Sequence, residues 1–330
     1  MGGSVAAALL GVVVVVVGAA MAEGKLAVDY YAASCPRAAE IVSETVVSKQ
    51  IASPTTAAGT LRVFFHDCFL DGCDGSVLVS STAFHRAERD ADINLSLPGD
   101  AFDLVVRAKT AVELACPGIV SCADILALAT RDLLTMLGGP FFPVRLGRRD
   151  SLVSRADLAA ARLPLANATV SQLIELFAQR GFSARELVAL SGAHTVGFAH
   201  CKEFAARVGL DGGGAADAAA EPRYAEAVRR ACADYRSRPT VAVFNDVMTP
   251  NKFDNVYFQN LRRGMGLLGT DQALAGDPRT RPFVELYAAD EGVFFRDFAR
   301  AIEKLSVYGV KTGGQGEVRR RCDQFNGFTT

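Results

Sequence analysis

Arg62 and His66 lie four residues apart in the run Leu61-Arg62-Val63-Phe64-Phe65-His66-Asp67-Cys68. A helix there would set a guanidinium and an imidazole on one face. A neutral imidazole moves protons, and an arginine beside it holds negative charge as it develops. Phe65, three residues from Arg62, sits on the same side and would keep water and bulky ligands away. A second histidine, His194, stands in Glu186-Leu187-Val188-Ala189-Leu190-Ser191-Gly192-Ala193-His194-Thr195-Val196-Gly197. Alone, a histidine in such an apolar stretch is more often a satisfied core residue than a ligand. Asp67, Asp74 and Ser76 crowd the turn Leu70-Asp71-Gly72-Cys73. Clustered hard oxygens suit calcium, but a solvated acidic turn has the same composition, and the spacing is not that of an EF-hand.

The elements that must position these residues read mostly as helix. Apolar residues recur at helical spacing over Ala38 to Gln50, Phe102 to Ala115, Ala123 to Met136, Val170 to Arg180, Ala184 to Ser191 and Asp290 to Leu305. Pro36 precedes the first, Cys116-Pro117-Gly118 closes the second and Gly181 ends the fourth. Alternating apolar and polar runs are short and few, which argues against a large sheet. Asp211-Gly212-Gly213-Gly214 reads as a flexible loop, since no strand precedes it to make a phosphate cradle. The sharpest boundary falls between Gly138-Gly139-Pro140 and Asp150. The 330 residues are enough for roughly two domains' worth of core or for one fused unit.

Charge is nearly balanced, 35 basic against 36 acidic side chains, so no basic face for nucleic acid is expected. An apolar stretch from Val5 to Ala20, with six consecutive valines, leads to Ala20-Met21-Ala22. That pattern reads as a secretory signal over residues 1–22, cleaved before Glu23, although its start carries no Lys or Arg. No second segment of spanning length follows, so no stable membrane association is expected after cleavage. Eight cysteines, Cys35, Cys68, Cys73, Cys116, Cys122, Cys201, Cys232 and Cys322, agree with an oxidising compartment, and their spacing leaves the pairing open.

With Arg62, Phe65 and His66 at this spacing and the His194 block more than a hundred residues later, the chain resembles the secretory plant peroxidases, the class III haem enzymes, over Leu26 to Phe325. Leu146-Gly147-Arg148-Arg149-Asp150 also matches a segment of that family. The resemblance implies a mainly α, two-lobed haem-peroxidase fold with little β-structure and one haem b between the lobes. Residues 23–330 would form the peroxidase domain, with a distal lobe over about 23–145 and a proximal lobe over about 146–300. The C-terminal segment would return to the distal lobe. Implied disulfides are Cys35–Cys116, Cys68–Cys73, Cys122–Cys322 and Cys201–Cys232.

The same resemblance assigns roles. His194 is the implied axial ligand of the haem iron, oriented by Asp271; the plain alternative for Asp271 is a helix N-cap, and it could serve as both. Above the haem, Phe65 lines the pocket, His66 takes the peroxide proton and Arg62 steadies the departing oxygen. Asn94 holds the other His66 nitrogen, and the Glu88 carboxylate ties Asn94 toward a distal calcium. That first calcium is expected on Asp67, Asp74, Ser76, the carbonyls of Leu70 and Gly72, and Glu88 through water. A second calcium is expected on Thr195, Asp246, Thr249, Asp254 and the Lys252 carbonyl. Leu163-Pro164 matches the access channel, where the Pro164 carbonyl orients phenolic donors, and Phe141 and Phe142 are candidates for the same edge.

Two positions depart from the family. Asn245 stands where many members carry an aromatic against the proximal imidazole, and Ala166 replaces a common proline. His85 reads as a surface residue, and His200 would lie roughly 240° around a helix from His194. Asn94-Leu95-Ser96 is a glycosylation sequon on a pocket residue, so Asn167-Ala168-Thr169 is the expected glycan site. There is no tryptophan to hold a radical. The implied function is a secreted, monomeric peroxidase of the cell wall that uses hydrogen peroxide and small phenolic donors. The chain stops eight residues past Cys322, without the extension that sends some relatives to the vacuole. A haem carrier without turnover would not need Arg62, His66 and Asn94 together, and a disulfide-rich, calcium-binding wall protein would show no haem absorption.

Overall fold

The computed structural model describes residues 24–211 and 217–327. The expected signal over residues 1–22 and the centre of the glycine loop fall outside the described residues. The first half holds α1 (Ala38–Ala52), α2 (Thr56–Leu70), α3 (Gly99–Ala115), α4 (Cys122–Met136) and α5 (Ala156–Arg162). Helices α1 and α2 each pack on α3 and α4, and α5 lies across α2 and the segment carrying Glu88 and Asn94.

The second half holds α6 (Val170–Ala178), α7 (Ala184–Ser191), β1 (Phe198–His200), α8 (Pro222–Ala231), β2 (Ala242–Phe244), α9 (Val256–Arg262), α10 (Gly269–Gly276), α11 (Arg281–Ala289) and α12 (Glu291–Ser306). The two strands form an antiparallel pair with Phe198 opposite Phe244. Among the described residues this is the one sheet, so the fold is mainly α. Helices α6 and α7 begin in reciprocal capping boxes, Thr169 with Gln172 and Ser183 with Glu186, which satisfy backbone N–H groups that the helix leaves free.

Phe253, Phe258, Tyr287, Phe294 and Phe298 form a buried aromatic cluster, and each ring adds about 1.5–3 kcal/mol by leaving water. Gly192 is required where α7 meets this cluster, because a Cβ there would lie 2.4 Å from the Phe294 ring. One core runs through both halves, and a satellite cluster of Phe204, Val208, Tyr224 and Val228 surrounds the Cys201–Cys232 bridge. The other bridges join Cys35 to Cys116, Cys68 to Cys73 and Cys122 to Cys322.

The chain after α12 is stitched to the first half. Asp150 N–H donates to the Glu317 carbonyl at 2.8 Å, and Arg319 N–H donates to the Asp150 carboxylate at 2.9 Å. Arg148 pairs with Asp124 at 2.8 Å with both side chains fully buried, and its Nε donates to the Ser306 carbonyl at 3.0 Å. Removing one partner of such a pair leaves an uncompensated buried charge, a loss of about 3–5 kcal/mol. The Leu146–Asp150 segment therefore serves as the clasp between α4 and the end of α12.

Candidate active site

Ala58, Arg62 and His66 follow one another at four-residue intervals along α2 and share a face. Asn94 turns its amide so that Nδ2 donates to the Glu88 carbonyl at 2.7 Å, and its Oδ1 then faces His66 Nδ1 at 2.7 Å. An amide oxygen only accepts, so Nδ1 of His66 carries the proton and Nε2 keeps its lone pair. Burial, then the Arg62 charge, push the His66 imidazole down to about 3, against the pull of the Asn94 bond. His66 is thus a neutral base throughout the physiological range. Glu88 acts on Asn94 through its backbone carbonyl; its carboxylate accepts from Ser76 Oγ at 2.8 Å, which corrects the expected link through the carboxylate.

Arg62 is held by a residue the sequence reading missed. Its Nη2 donates to Ser96 Oγ at 2.8 Å and its Nη1 to the Ser96 carbonyl at 3.1 Å. The signal was present in Asn94-Leu95-Ser96, read there only as a sequon, whose first residue holds His66 and whose third holds Arg62. Phe65 stands edge-on to His66 with ring centroids 6.2 Å apart, and stacks on Phe69 at 4.8 Å and toward Phe177 of α6 at 6.3 Å.

On the other side, α7 ends at Ser191, and His194 lies in the tight turn Gly192–Thr195, not within an α-helix. His200 is on β1 opposite Ala242, so a strand, and not rotation around a helix, separates it from His194. The turn brings Gly197 against α2, where an added Cβ would lie 2.9 Å from the Ala58 side chain. The face of α2 that carries Arg62 and His66 therefore meets the chain three residues beyond His194. His194 Nδ1 bonds to Asp271 Oδ1 at 2.9 Å, and its side chain keeps 42% exposure while Asp271 is buried. Burial lowers the His194 pKa, but the charge and hydrogen bond of Asp271 outweigh it, so the net shift is upward. The Arg62 charge lowers the His194 pKa a little, as it does that of His66.

Asp271 lies in the first turn of α10, whose cap is Leu268, which corrects its expected cap role and sets its charge at a favourable helix end. Tyr257, also missed, stands edge-on to His194 with ring centroids 6.3 Å apart. Burial and then the Asp271 carboxylate raise the Tyr257 pKa well above its ordinary value, yet Tyr257 Oη and Asp271 Oδ2 each lack a completed hydrogen bond. Asn245 donates to the Val196 carbonyl at 3.4 Å, while its Oδ1 is buried without a partner. The ring against the imidazole is thus Tyr257, not residue 245.

Among the described residues neither Nε2, of His66 or of His194, has a hydrogen-bond partner. A half-open imidazole backed by a carboxylate, with a neutral base and a guanidinium on the adjoining face, is a donor set that fits haem.

The oxygen-rich groups lie at two places. Asp254 Oδ1 accepts from Thr195 Oγ1 at 3.4 Å and Thr249 Oγ1 at 3.1 Å, and its buried Oδ2 has no hydrogen-bond partner. Asp246 accepts from Thr249 Oγ1 at 3.2 Å, and the Lys252 ammonium lies 3.5 Å from Asp254. This set fits a hard cation. At the first place Asp67 accepts from the N–H groups of Gly75 at 2.9 Å and Val77 at 3.3 Å, and Asp74 accepts from Ser76 N–H at 3.1 Å. Burial, then the neighbouring Asp74 charge, raise Asp67 to about 7, and burial raises Glu88 to about 8. Leu70 and Gly72 flank this loop, and Lys311 pairs with Asp74. Among the described residues no three His, Cys, Asp or Glu side chains form a metal cluster by themselves, so any calcium here needs hydroxyls and carbonyls as well.

Pro164 is half-buried just after α5, which packs on α2. Phe142 is fully buried in the core, whereas Phe141 is 63% exposed with Arg131 at 5.3 Å from its ring. The two phenylalanines therefore do not share an edge, and Phe142 is removed from the channel. His85 is half-buried beside Phe325, with ring centroids 6.3 Å apart.

A mainly helical fold that backs one histidine with an aspartate and places a neutral histidine and an arginine near it is of the haem-peroxidase class. A family profile described as Peroxidase matches residues 42–290, and the chain belongs to that family. Peroxidase 63 of Arabidopsis thaliana is 59% identical over 305 residues, 92% of each chain. Peroxidase 31 of the same plant is 56% identical over 92% of this chain and 95% of that protein. Peroxidase 65 is 58% identical over 91% and 89%. The protein is a peroxidase, an oxidoreductase that acts on hydrogen peroxide with haem.

Proposed function

We propose that the chain is a secreted haem b peroxidase in which His66, Arg62 and Asn94 act on hydrogen peroxide and His194 with Asp271 holds the haem iron. The observation that carries this reading is the short His66–Asn94 bond, which leaves an uncharged Nε2 beside Arg62. A haem held by His194 and Asp271 would supply the redox chemistry of O–O cleavage. His66 Nε2 takes a proton from hydrogen peroxide and returns it to the oxygen that leaves as water. Arg62, steadied by Ser96, stabilises negative charge on that oxygen. Asp271 fixes the tautomer of His194 and makes it a stronger donor. Phe65 narrows the space, so that small peroxides enter and larger ligands do not.

Two donor molecules then each give up one electron, and phenols entering past the Pro164 carbonyl suit that role. One calcium is assigned to Asp67, Leu70, Gly72, Asp74 and Ser76, with Glu88 through water, and a second to Thr195, Asp246, Thr249, Lys252 and Asp254. Both brace the loops beside the histidines. The reading includes signal cleavage after Ala22, distal and proximal lobes meeting near residue 146, a monomer in the cell wall, and a glycan on Asn167, which is exposed just before α6. Among the described residues no helix is long and apolar enough to cross a membrane.

Stopped-flow mixing of haem-loaded protein with hydrogen peroxide tests the reading. His66→Ala should keep the haem absorption band and react about 10²–10⁴-fold more slowly. An unchanged rate would remove His66 from the acid–base role.

A further inference from the structure

Gly72 and Gly309 press their backbones together at positive φ, +124° and +57°, and a Cβ on Gly72 would lie 2.1 Å from the Gly309 carbonyl oxygen. Cys73 N–H donates to the Tyr308 carbonyl at 3.3 Å, and Arg149 N–H donates to the Lys311 carbonyl at 2.8 Å. These contacts lay the chain that follows α12 along the acidic loop after α2. Lys311, 237 residues from Asp74, is delivered there with its ammonium on Asp74 Oδ2. The Asp74 side chain is 2% exposed, whereas that of Lys311 keeps 28%. Fully buried Arg319 donates beside it to the Gly75 carbonyl at 2.9 Å. Of the buried carboxylates there, Asp74 thus takes the Lys311 ammonium, and the Arg319 charge acts on Asp67.

We propose that Lys311 is a built-in competitor for the first calcium, an ammonium that must leave Asp74 before the metal can take that carboxylate. The proposal rests on reading Asp67, Asp74 and Ser76 as a calcium site. A cation in contact with one ligand oxygen repels a second cation there and occupies its lone pairs. The four-carbon stem and the residual exposure let the ammonium swing out to water, so the exchange needs no rearrangement of the loop. With calcium absent, Lys311 takes over part of its charge balance.

The test uses haem-loaded protein stripped of calcium with a chelator and titrated with calcium by calorimetry, the distal ion being the one that Asp74→Ala removes. Lys311→Met keeps the stem and loses the charge. It should bind the distal ion on the order of tenfold more tightly, and its thermal midpoint should depend more steeply on calcium than that of the wild type. Lys311→Arg should stay close to wild type. Wild-type protein gives a second readout that needs no variant: acetic anhydride should label Lys311 faster, by mass spectrometry, once calcium is added. Equal distal affinities for wild type and Lys311→Met, or labelling indifferent to calcium, overturns the competition and leaves the calcium site standing. No distal ion in either protein at saturating calcium overturns the site itself and the competition with it.

Discussion

Replacing Asn94 by valine removes the acceptor that fixes His66 while keeping a similar volume. The lost bond is short, 2.7 Å, and buried, and its removal leaves the Nδ1 proton unpaired. An unsatisfied buried donor costs about 1–3 kcal/mol, which the imidazole avoids by moving its proton to Nε2, the atom that must accept from peroxide. Carried into the barrier, that corresponds to a roughly 5- to 150-fold slower reaction with hydrogen peroxide. The pH dependence separates this cause from a change of charge. Asn94 is the one influence that raises the His66 pKa, so its loss moves an already low value further down. The rate should therefore fall by the same factor across neutral pH, with no new acid limb. Asn94→Asp should do the opposite: a carboxylate beside Nδ1 raises the pKa, and the rate should drop as pH falls through the new value. Stopped-flow absorbance on proteins of equal haem content measures both. An unchanged rate in Asn94→Val, or an acid limb that moves upward there, would refute the reasoning.

Ser96→Ala should slow the same reaction roughly 10- to 150-fold, because a hydrogen bond to a charged group contributes about 1.5–3 kcal/mol, and Ser96→Thr should restore most of it. Asp271→Asn removes the charge that raises the His194 pKa, so the haem reduction potential should rise in a spectroelectrochemical titration; a fall would contradict the assigned role. Opening the Cys122–Cys322 bridge, which spans 200 residues, should lower unfolding free energy by up to about 5 kcal/mol in a denaturant titration. Because the folded His66 pKa lies below its unfolded value, its neutral form contributes stability in full above about 6.5. That contribution is lost as pH falls toward about 3, so His66→Phe should shift the acid-unfolding midpoint downward.

Long periodic helices could be read directly: Ala123 to Met136 differs from α4 by one residue, because the spacing of its apolar side chains repeats over several turns. Helices α5, α8, α9, α10 and α11 have no reading in the sequence, whereas α6 and α7, equally short, do: each of those two opens on a hydroxyl residue with a Gln or Glu three positions on, Thr169 with Gln172 and Ser183 with Glu186. Motif spacing named His66, Arg62 and His194, but not the turn that carries His194, which depends on Gly192 fitting against Phe294. Ser96 under Arg62 is 34 residues away in sequence, and Lys311 on Asp74 is 237 away. Such contacts are made by tertiary packing and leave no local pattern, which is why Tyr257 beside Asp271 also went unread.

The claim on which the rest depends is that His194, and not His66, holds the haem iron. Resonance Raman spectroscopy of the reduced, haem-loaded protein measures the iron–imidazole stretch directly. His194→Gly should lose that band and regain it on addition of free imidazole, while His66→Ala should keep it. A band that survives in His194→Gly without imidazole, or vanishes in His66→Ala, would contradict the account.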